Sequence, residues 1–498
     1  MWLFVPDPDN DAAEGWTGTI EPPSGPGKLW TFEAVRHVDL DGLQKAAPFG
    51  SGLVEGLLNH QEPVTLINTT LHTLDPGSVG VRLRALRTRV AGEASAVLKK
   101  LAIQSRDEPV FRGYSVESPS FALWYGPPTF RSNQDLETRT STISIAQTNT
   151  EIYDFADGLR IAVVTGTKVQ SKGYDATLSS VAIMRVEFGV LKSLDEVMDL
   201  SLGLERLFGF LIGFRAAIPP FQVWTAGTYK VGDVDLPADG EILFGGVDWK
   251  AGDLPRSWAA RHRRDSAGTG IEPILVRFLA NFVDLLTRIT AIERSEYFTT
   301  DIYERFANTM PLLEAHLKVK YVEPDEVSFM DLESRFFAWV DASTDPDIKA
   351  FSQKHIQVKA RKAPSLKTLL KRAIAFVNGR GFAFHDDLAD RIANRRGRVF
   401  HSPFEGAAEE IHGFYIEGLA VTNLLLLHTL DDLGVDIALL SQAYPSGSLR
   451  EFIPKPVRSP EASNSDTDWL TPAEAVTKSE MESGKTDEGP QAADATSR

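Results

Sequence analysis

The feature that most constrains this chain is a change of hydrophobic period near residue 270. Before it, short apolar and β-branched runs recur between Gly, Pro, Asp and Asn clusters, at 63–74, 140–147, 159–169, 177–189 and 222–234. The run at 140–147, TSTISIAQ, alternates every second residue, as a half-buried strand does. After it, the period becomes 3.6. Over 272–298, Ile274, Phe278, Phe282, Leu285, Leu286 and Ile289 fall on one helical stripe. Further helical patterns cover 300–318, 328–340, 347–358, 364–378, 384–400 and 406–430. A chain that is period-two first and period-3.6 afterwards belongs to the α+β class. It predicts a β-rich N-terminal domain over 1–265 and an all-α bundle over 270–445. One helix is expected inside the first part, at 193–214, with Ser193 as N-cap and Glu196 closing a capping box. Residues 254–270 read as a connector. Residues 454–498, rich in Ser, Pro, Glu, Asp and Thr, read as a disordered tail.

Two windows are apolar enough to raise the question of a membrane, 203–215 and 419–440. The first carries Glu205 and Arg206, the second His428, Asp431 and Asp432. A spanning helix tolerates few charges, so both are expected to be core helices and no membrane partner is expected. The N-terminus has no basic stretch ahead of an apolar run, and the 498 residues include no cysteine, which together predict a cytoplasmic protein. Zero cysteines also exclude thiolate metal sites, iron–sulfur clusters and cysteine nucleophiles. Imidazole, carboxylate, hydroxyl and amine chemistry remain.

The net charge of −16 argues against nucleic acid only if the charge is spread evenly, and it is not. Residues 349–401 carry thirteen Lys and Arg against three acids, a local balance of +10. Lys359, Arg361, Lys362, Lys367, Lys371 and Arg372 are the candidate contacts to a phosphate backbone. The plainer reading of such a run is a solvated helix face offset by acids elsewhere.

The run ends in RIANRRGRVFHSP (391–403). This closes an amphipathic helix whose stripe is Leu388, Ile392 and Val399, and Ser402-Pro403 disfavours its continuation. His401 is therefore expected at a helix C-terminus, where the dipole favours the imidazolium form. A histidine near its titration point beside arginines suits acid–base work on a phosphodiester. Arginine stabilises the charge that develops on phosphorus. With RNA the neighbouring 2′-hydroxyl supplies the nucleophile, and the products are a 2′,3′-cyclic phosphate and a 5′-hydroxyl. The structural alternative is a helix-terminal histidine bonded to a carbonyl, with the arginines paired to Glu405, Glu409 or Glu410.

Arg396-Gly-Arg-Val-Phe-His401 resembles the R-x4-6-H signature of the HEPN superfamily of helical ribonucleases, and Arg395 to His401 fits the same spacing. The setting is similar to the ApeA-like subgroup. There the motif ends one helix, and a second helix runs apolar into an L-x-x-L-G ending, here EEIHGFYIEGLAVTNLLLLHTLDDLG (409–434). The β-rich first half resembles the ApeA N-terminal domain. The resemblance covers roughly residues 1–440. It implies a metal-independent endoribonuclease without a cofactor, acting as a homodimer or higher homo-oligomer with two motifs facing each other. It further implies cleavage of host or phage RNA, such as tRNA, in abortive-infection defence against phage. Arg396 would then stabilise the phosphate and His401 act as general acid and base. The family often carries Asn directly after the arginine; here Gly397 stands there and Asn394 lies upstream. Which of Arg395, Arg396 and Arg398 works is left open. On one helix Arg398 is nearly on the face of His401, whereas Arg396 is not unless the last turn unwinds or two subunits share the site. A nuclease toxic to its host must be restrained, so the β domain is expected to hold the bundle inactive until a phage-derived trigger binds.

Rival readings are a catalytically silent HEPN-like module for dimerisation or RNA binding, and a metal-dependent phosphohydrolase built on His385-Asp386. The latter would need further ligands from His316, His355, His412 or His428. His412, at the start of the following helix, is also a possible neighbour of His401. Arg261-His262-Arg263-Arg264 reads as an exposed basic linker. Trp124, Tyr125, Trp224 and Tyr229 read as core aromatics before they read as a stacking platform. HExxH, GxSxG and the Rossmann fingerprint are absent.

Overall fold

The computed structural model describes residues 1–6, 15–24, 28–39, 52–58, 62–75, 85–103, 105–126, 130–135, 140–145, 148–172, 175–213, 218–231, 234–245, 264, 270–297, 302–321, 334–355, 364–385, 387–401 and 408–443. The expected tail at 454–498 lies outside them, as does the connector apart from Arg264 and Gly270.

The first part is β-rich. Its strands are β1 (Trp2–Pro6), β2 (Gly15–Glu21), β3 (Trp30–Asp39), β4 (Gly52–Leu58), β5 (Glu62–Asp75), β6 (Ala85–Ala94), β7 (Ala96–Lys99) and β8 (Phe111–Glu117). After helix α1 (Pro119–Tyr125) come β9 (Phe130–Asp135), β10 (Thr140–Ile145), β11 (Asn149–Asp154), β12 (Arg160–Lys172) and β13 (Asp175–Lys192). Helix α2 (Leu194–Ile212), β14 (Phe221–Val231) and β15 (Val234–Phe244) complete it. The order β5-β4-β1-β2-β3-β6 returns to β5, because β5 pairs with both β4 and β6, so these six strands close on themselves. Closure leaves no edge among them. Trp16, Ile20, Trp30, Phe32, Val64, Leu66 and Val97 fill the interior.

The long β5 serves two sheets. Its second half pairs with β6 inside the closed set, and its first half pairs with β7, from which β15, β14, β8, β13, β12 and β11 spread as an open antiparallel sheet. At the corner Asn68 takes φ +54°, a conformation asparagine tolerates. Its amide donates to the Ser95 hydroxyl at 2.9 Å, and the Ser95 amide donates to the Ile67 carbonyl at 2.9 Å. β9 and β10 form a separate hairpin.

The expected capping box is present: Ser193 Oγ accepts from the Glu196 amide, and the Glu196 carboxylate accepts from the Ser193 amide at 2.9 Å. α1 was not anticipated. At seven residues it is too short to show a helical period, but Ser118 caps it and Gly126 ends it in the left-handed region.

The second part is helical: α3 (Ile271–Ala280), α4 (Phe282–Tyr297), α5 (Ile302–Tyr321), α6 (334–342), α7 (Pro346–His355), α8 (Leu366–Asn378), α9 (Leu388–His401), α10 (Ala408–Asp432) and α11 (Ile437–Ala443). The single helix expected over 272–298 is two. Asn281 leaves helical geometry (φ −126°, ψ 36°), and its side-chain amide donates to the Arg277 carbonyl, so the break is capped locally. The expected stripe survives it: Ile274, Phe278, Leu285 and Ile289 are buried.

The helix expected from 384 starts at Leu388. The Asn378 amide group donates to the Phe384 carbonyl and accepts from the Phe384 amide, both at 2.8 Å, which pins 382–385 in extended form with Phe382 and Phe384 buried. Asp387 therefore stands before the first turn, with its carbonyl accepting from the Asp390 and Arg391 amides. The long apolar helix α10 contains a stretch, Ile411–Asp432, long and apolar enough to cross a membrane, but 83% of its apolar window is buried inside the protein.

The barrel has its own core. A second, larger core runs without interruption from Tyr114, Phe121 and Trp124 through Leu207, Phe208 and Leu211 of α2 to Phe278, Leu313, Ile392 and Leu425 of the helices. α2 is buried on both sides.

Candidate active site

α9 lies against α8 and α10, with Leu388 and Ile392 buried. Its arginines leave this apolar stripe on two flanks. Arg391 and Arg395, one turn apart, both reach Glu417 on α10: Arg391 Nε donates to Oε1 at 3.2 Å and Arg395 Nε to Oε2 at 2.6 Å. The Arg395 guanidinium also lies over the Phe414 ring, 4.4 Å from its centre. It can lie there because position 413 is glycine, where a Cβ would come within 2.7 Å of Arg395 Nη2. The pair is closed off from water, with side-chain exposures of 12% for Arg395 and 4% for Glu417. Arg396 leaves on the other flank toward α5. Its Nε donates to Glu314 Oε2 at 3.2 Å, and Lys318 Nζ sits 2.8 Å from Glu314 Oε1. Arg396 keeps 39% of its side chain exposed.

The two arginines that fit the motif are thus in different states. Arg395 is bound into the α9–α10 interface by a buried carboxylate and an aromatic face. Arg396 is half open to solvent. Asn394 is exposed, and around Gly397 no atom lies within 4 Å of where a Cβ would stand. α9 is helical through His401, the last residue described before Ala408. The last turn therefore does not unwind, and Arg396 and His401 are about 140° apart around one helix. Arg398 and His401 belong by backbone to that last turn; their side chains, like those of Glu409 and Glu410, and Glu405 altogether, lie outside the described ones. Among the described side chains, Glu417 meets Arg391 and Arg395, and Glu314 meets Arg396. Glu417 could have been found in sequence, as a lone acid inside the apolar run FYIEGLAV opposite two arginines spaced i, i+4. Glu314 and Lys318 carried no such signal.

Of the other predicted phosphate contacts, Lys359, Arg361 and Lys362 lie outside the described residues. Lys367 and Lys371 are exposed on α8, and Lys367 Nζ is 2.6 Å from Asp390. Arg372 is turned inward and donates to the Tyr321 carbonyl.

His385 pairs with Asp387 on the surface, while Asp386 lies outside the described residues. His316 and His428 do meet, with ring centres 5.4 Å apart, but in the core between α5 and α10, and His412 is exposed at the start of α10. Among the described residues, His, Asp and Glu form no group of three able to hold a metal. His316, but not the fully buried His428, lines a cleft of about 760 Å³ where Arg288, Lys320 and Arg277 face Asp284, Asp431 and Asp432. Arg288 donates to Asp432 at 2.8 Å and Asp284 at 2.7 Å; Lys320 donates to Asp431 and Asp432 at 2.8 Å each. The charges are matched within the cluster.

In the β part, Trp124 and Tyr125 are core residues packed on Phe121, not a platform. Trp224 is half-buried under the Arg185 guanidinium. Arg264 of the basic linker is not a loose cation: it forks onto Glu151 at 3.0 and 3.2 Å and lies over Tyr125, 4.4 Å from the ring centre.

No family model, no curated protein and no solved structure matches the chain.

Proposed function

We propose that the helical half is a HEPN-type bundle and that the protein is a metal-independent endoribonuclease. One observation carries the reading: a helix rich in arginine ends on a histidine, and one motif arginine, Arg396, remains half exposed while its neighbour Arg395 is held inside. In the reaction, the 2′-hydroxyl of the RNA attacks the adjacent phosphorus. Its proton passes to a base, the bond to the 5′-oxygen breaks, and that oxygen takes a proton from an acid. His401 at the helix C-terminus serves the proton transfers, and Arg396 neutralises the charge on the phosphoryl oxygens. Because the two stand on different faces of one helix, Arg396 of one protomer works with His401 of its partner in a homodimer. Arg398, on the face of His401, is the remaining cation of the motif. The RNA is tRNA or another host or phage RNA, cleaved in the cytoplasm during abortive infection. The β half restrains the bundle until a phage-derived trigger engages it.

Purified full-length protein incubated with total tRNA in EDTA should give fragments ending in 2′,3′-cyclic phosphate, and His401→Ala and Arg396→Ala should abolish them. Cleavage unchanged in His401→Ala would sink the proposal, and cleavage lost in EDTA would favour the His385 phosphohydrolase. One observation favours a silent RNA-binding or dimerisation module instead: Arg391, Arg395 and Arg396 are all spent on carboxylates. Under that reading RNA is bound and never cut.

A further inference from the structure

Glu314 takes a different cation on each oxygen, Lys318 on Oε1 at 2.8 Å and Arg396 on Oε2 at 3.2 Å, from two different helices. Two cations converging on a carboxylate are also an arrangement that suits a phosphate, which likewise offers two charged oxygens. The surroundings open outward: Lys318 is 60% exposed and Arg396 39%, against 15% for Glu314 itself. The neighbouring Glu417 cluster differs in burial: the carboxylate is 4% exposed and its two arginines 12% and 28%, both from α9, so that contact is part of helix packing.

We infer that Lys318 and Arg396 form a two-cation seat for a backbone phosphate of RNA, and that Glu314 is its resident occupant, which the phosphate displaces. This rests on the nuclease reading and deepens it: Lys318 becomes a phosphate-binding residue, and Glu314 becomes an internal competitor at the motif arginine. The guanidinium fork suits two phosphoryl oxygens as well as two carboxylate oxygens, and the ammonium adds a point charge beside it. Partial burial pushes the Glu314 carboxyl up, but Lys318 and Arg396 outweigh it and hold it below the usual carboxylate range. The competitor is therefore charged at every pH near neutrality. An ion pair this exposed is weak, so a phosphate already held by neighbouring contacts can replace it, whereas a stray anion gains little.

The test uses the full-length protein and a short 2′-O-methyl oligoribonucleotide, which cannot be cut because the attacking oxygen is blocked. Affinity is measured by fluorescence anisotropy across a salt series. Glu314→Gln, which keeps the shape and removes the charge, should tighten binding by about three- to tenfold. Lys318→Gln and Arg396→Gln should loosen it, each lowering the slope of log affinity against log salt by about 0.7. The gain from Glu314→Gln should vanish when combined with Arg396→Gln. Glu314→Ala serves as a second variant, and unfolding midpoints confirm that each protein is folded. If wild type binds and neither Glu314 variant tightens, or the gain survives without Arg396, the resident-occupant idea is overturned while the RNA reading stands. If no variant binds, including those with the seat emptied, both fall together.

Discussion

Glu205 is enclosed on α2, with one oxygen accepting from the Ser118 hydroxyl at 2.8 Å and the other, Oε1, without a partner among the described residues. Burial pushes its carboxyl up to about 8. At neutral pH it is a neutral acid in an apolar core, and among the described residues the Tyr114 OH nearby has no partner either. His316 and His428 are displaced the other way, also chiefly by burial, down to about 4 and about 3, with the Arg288 and Lys320 charges adding to the effect. The two kinds of group act on opposite limbs of the stability curve. Above 4.5 the unfolded Glu205 releases its proton while the folded one keeps it, so stability declines as pH rises from about 4.5 to about 8. Below 6.5 the unfolded histidines take up protons that the folded ones refuse, so stability also declines as pH falls from about 6.5 to about 4. For one fully displaced group each pH unit is worth about 1.4 kcal/mol. Glu205→Gln should therefore raise the melting temperature at pH 8 and have little effect at pH 4.5, and His428→Leu should flatten the acid limb. Melting curves of the two variants from pH 4.5 to 8 check this, and a shift that is constant with pH would contradict it. Glu205 and His428 were visible in sequence as interruptions of the two apolar windows, and His316 was not. Their partners were not, because Ser118 and Glu205 are far apart in the chain, and only the packing of α1 on α2 brings them together.

At the scale of elements, the joint between α9 and α10 depends on Glu417. Replacing it with Ala leaves Arg395 largely enclosed without its carboxylate, at a cost of about 3 kcal/mol. Denaturant unfolding of Glu417→Ala should show that loss, whereas Glu314→Ala, removing a half-exposed ion pair, should change stability by less than about 1 kcal/mol. Equal losses would mean the two arginines are not differently held. The helices themselves were legible, because their apolar stripes are long: α5, α8 and α10 fall within a few residues of the expected spans. Their ends were less so. The break at Asn281 and the late start of α9 are both set by one asparagine amide bonding the backbone, and a hydrophobic period does not register such bonds. The strand pattern was legible in the same sense. The closing of six strands was not, since nothing in β5 alone announces that its two halves serve different sheets.

At the scale of the molecule, the change of period near residue 270 divides secondary structure and does not divide the core. α2 packs against the sheet on one side and α4 on the other. Gly203 allows the Phe282 ring to come within 2.6 Å of where a Cβ would stand, and Arg206 donates to Thr290 at 3.0 Å. A fragment of residues 270–445 would expose the apolar surface that α2 covers. It should aggregate or lose cooperative unfolding, and a fragment from residue 194 onward should behave no better without the sheet. A soluble, cooperatively melting 270–445 fragment, judged by calorimetry and size-exclusion chromatography, would contradict the shared core. Restraint of the bundle by the β half, if that half acts as proposed, has α2 as its direct physical route. The same helix also bears on the protein's history. Recombination at the connector would deliver two half-cores with complementary wounds, so the helical half cannot travel between genes as a cassette unless the segment preceding β14 travels with it.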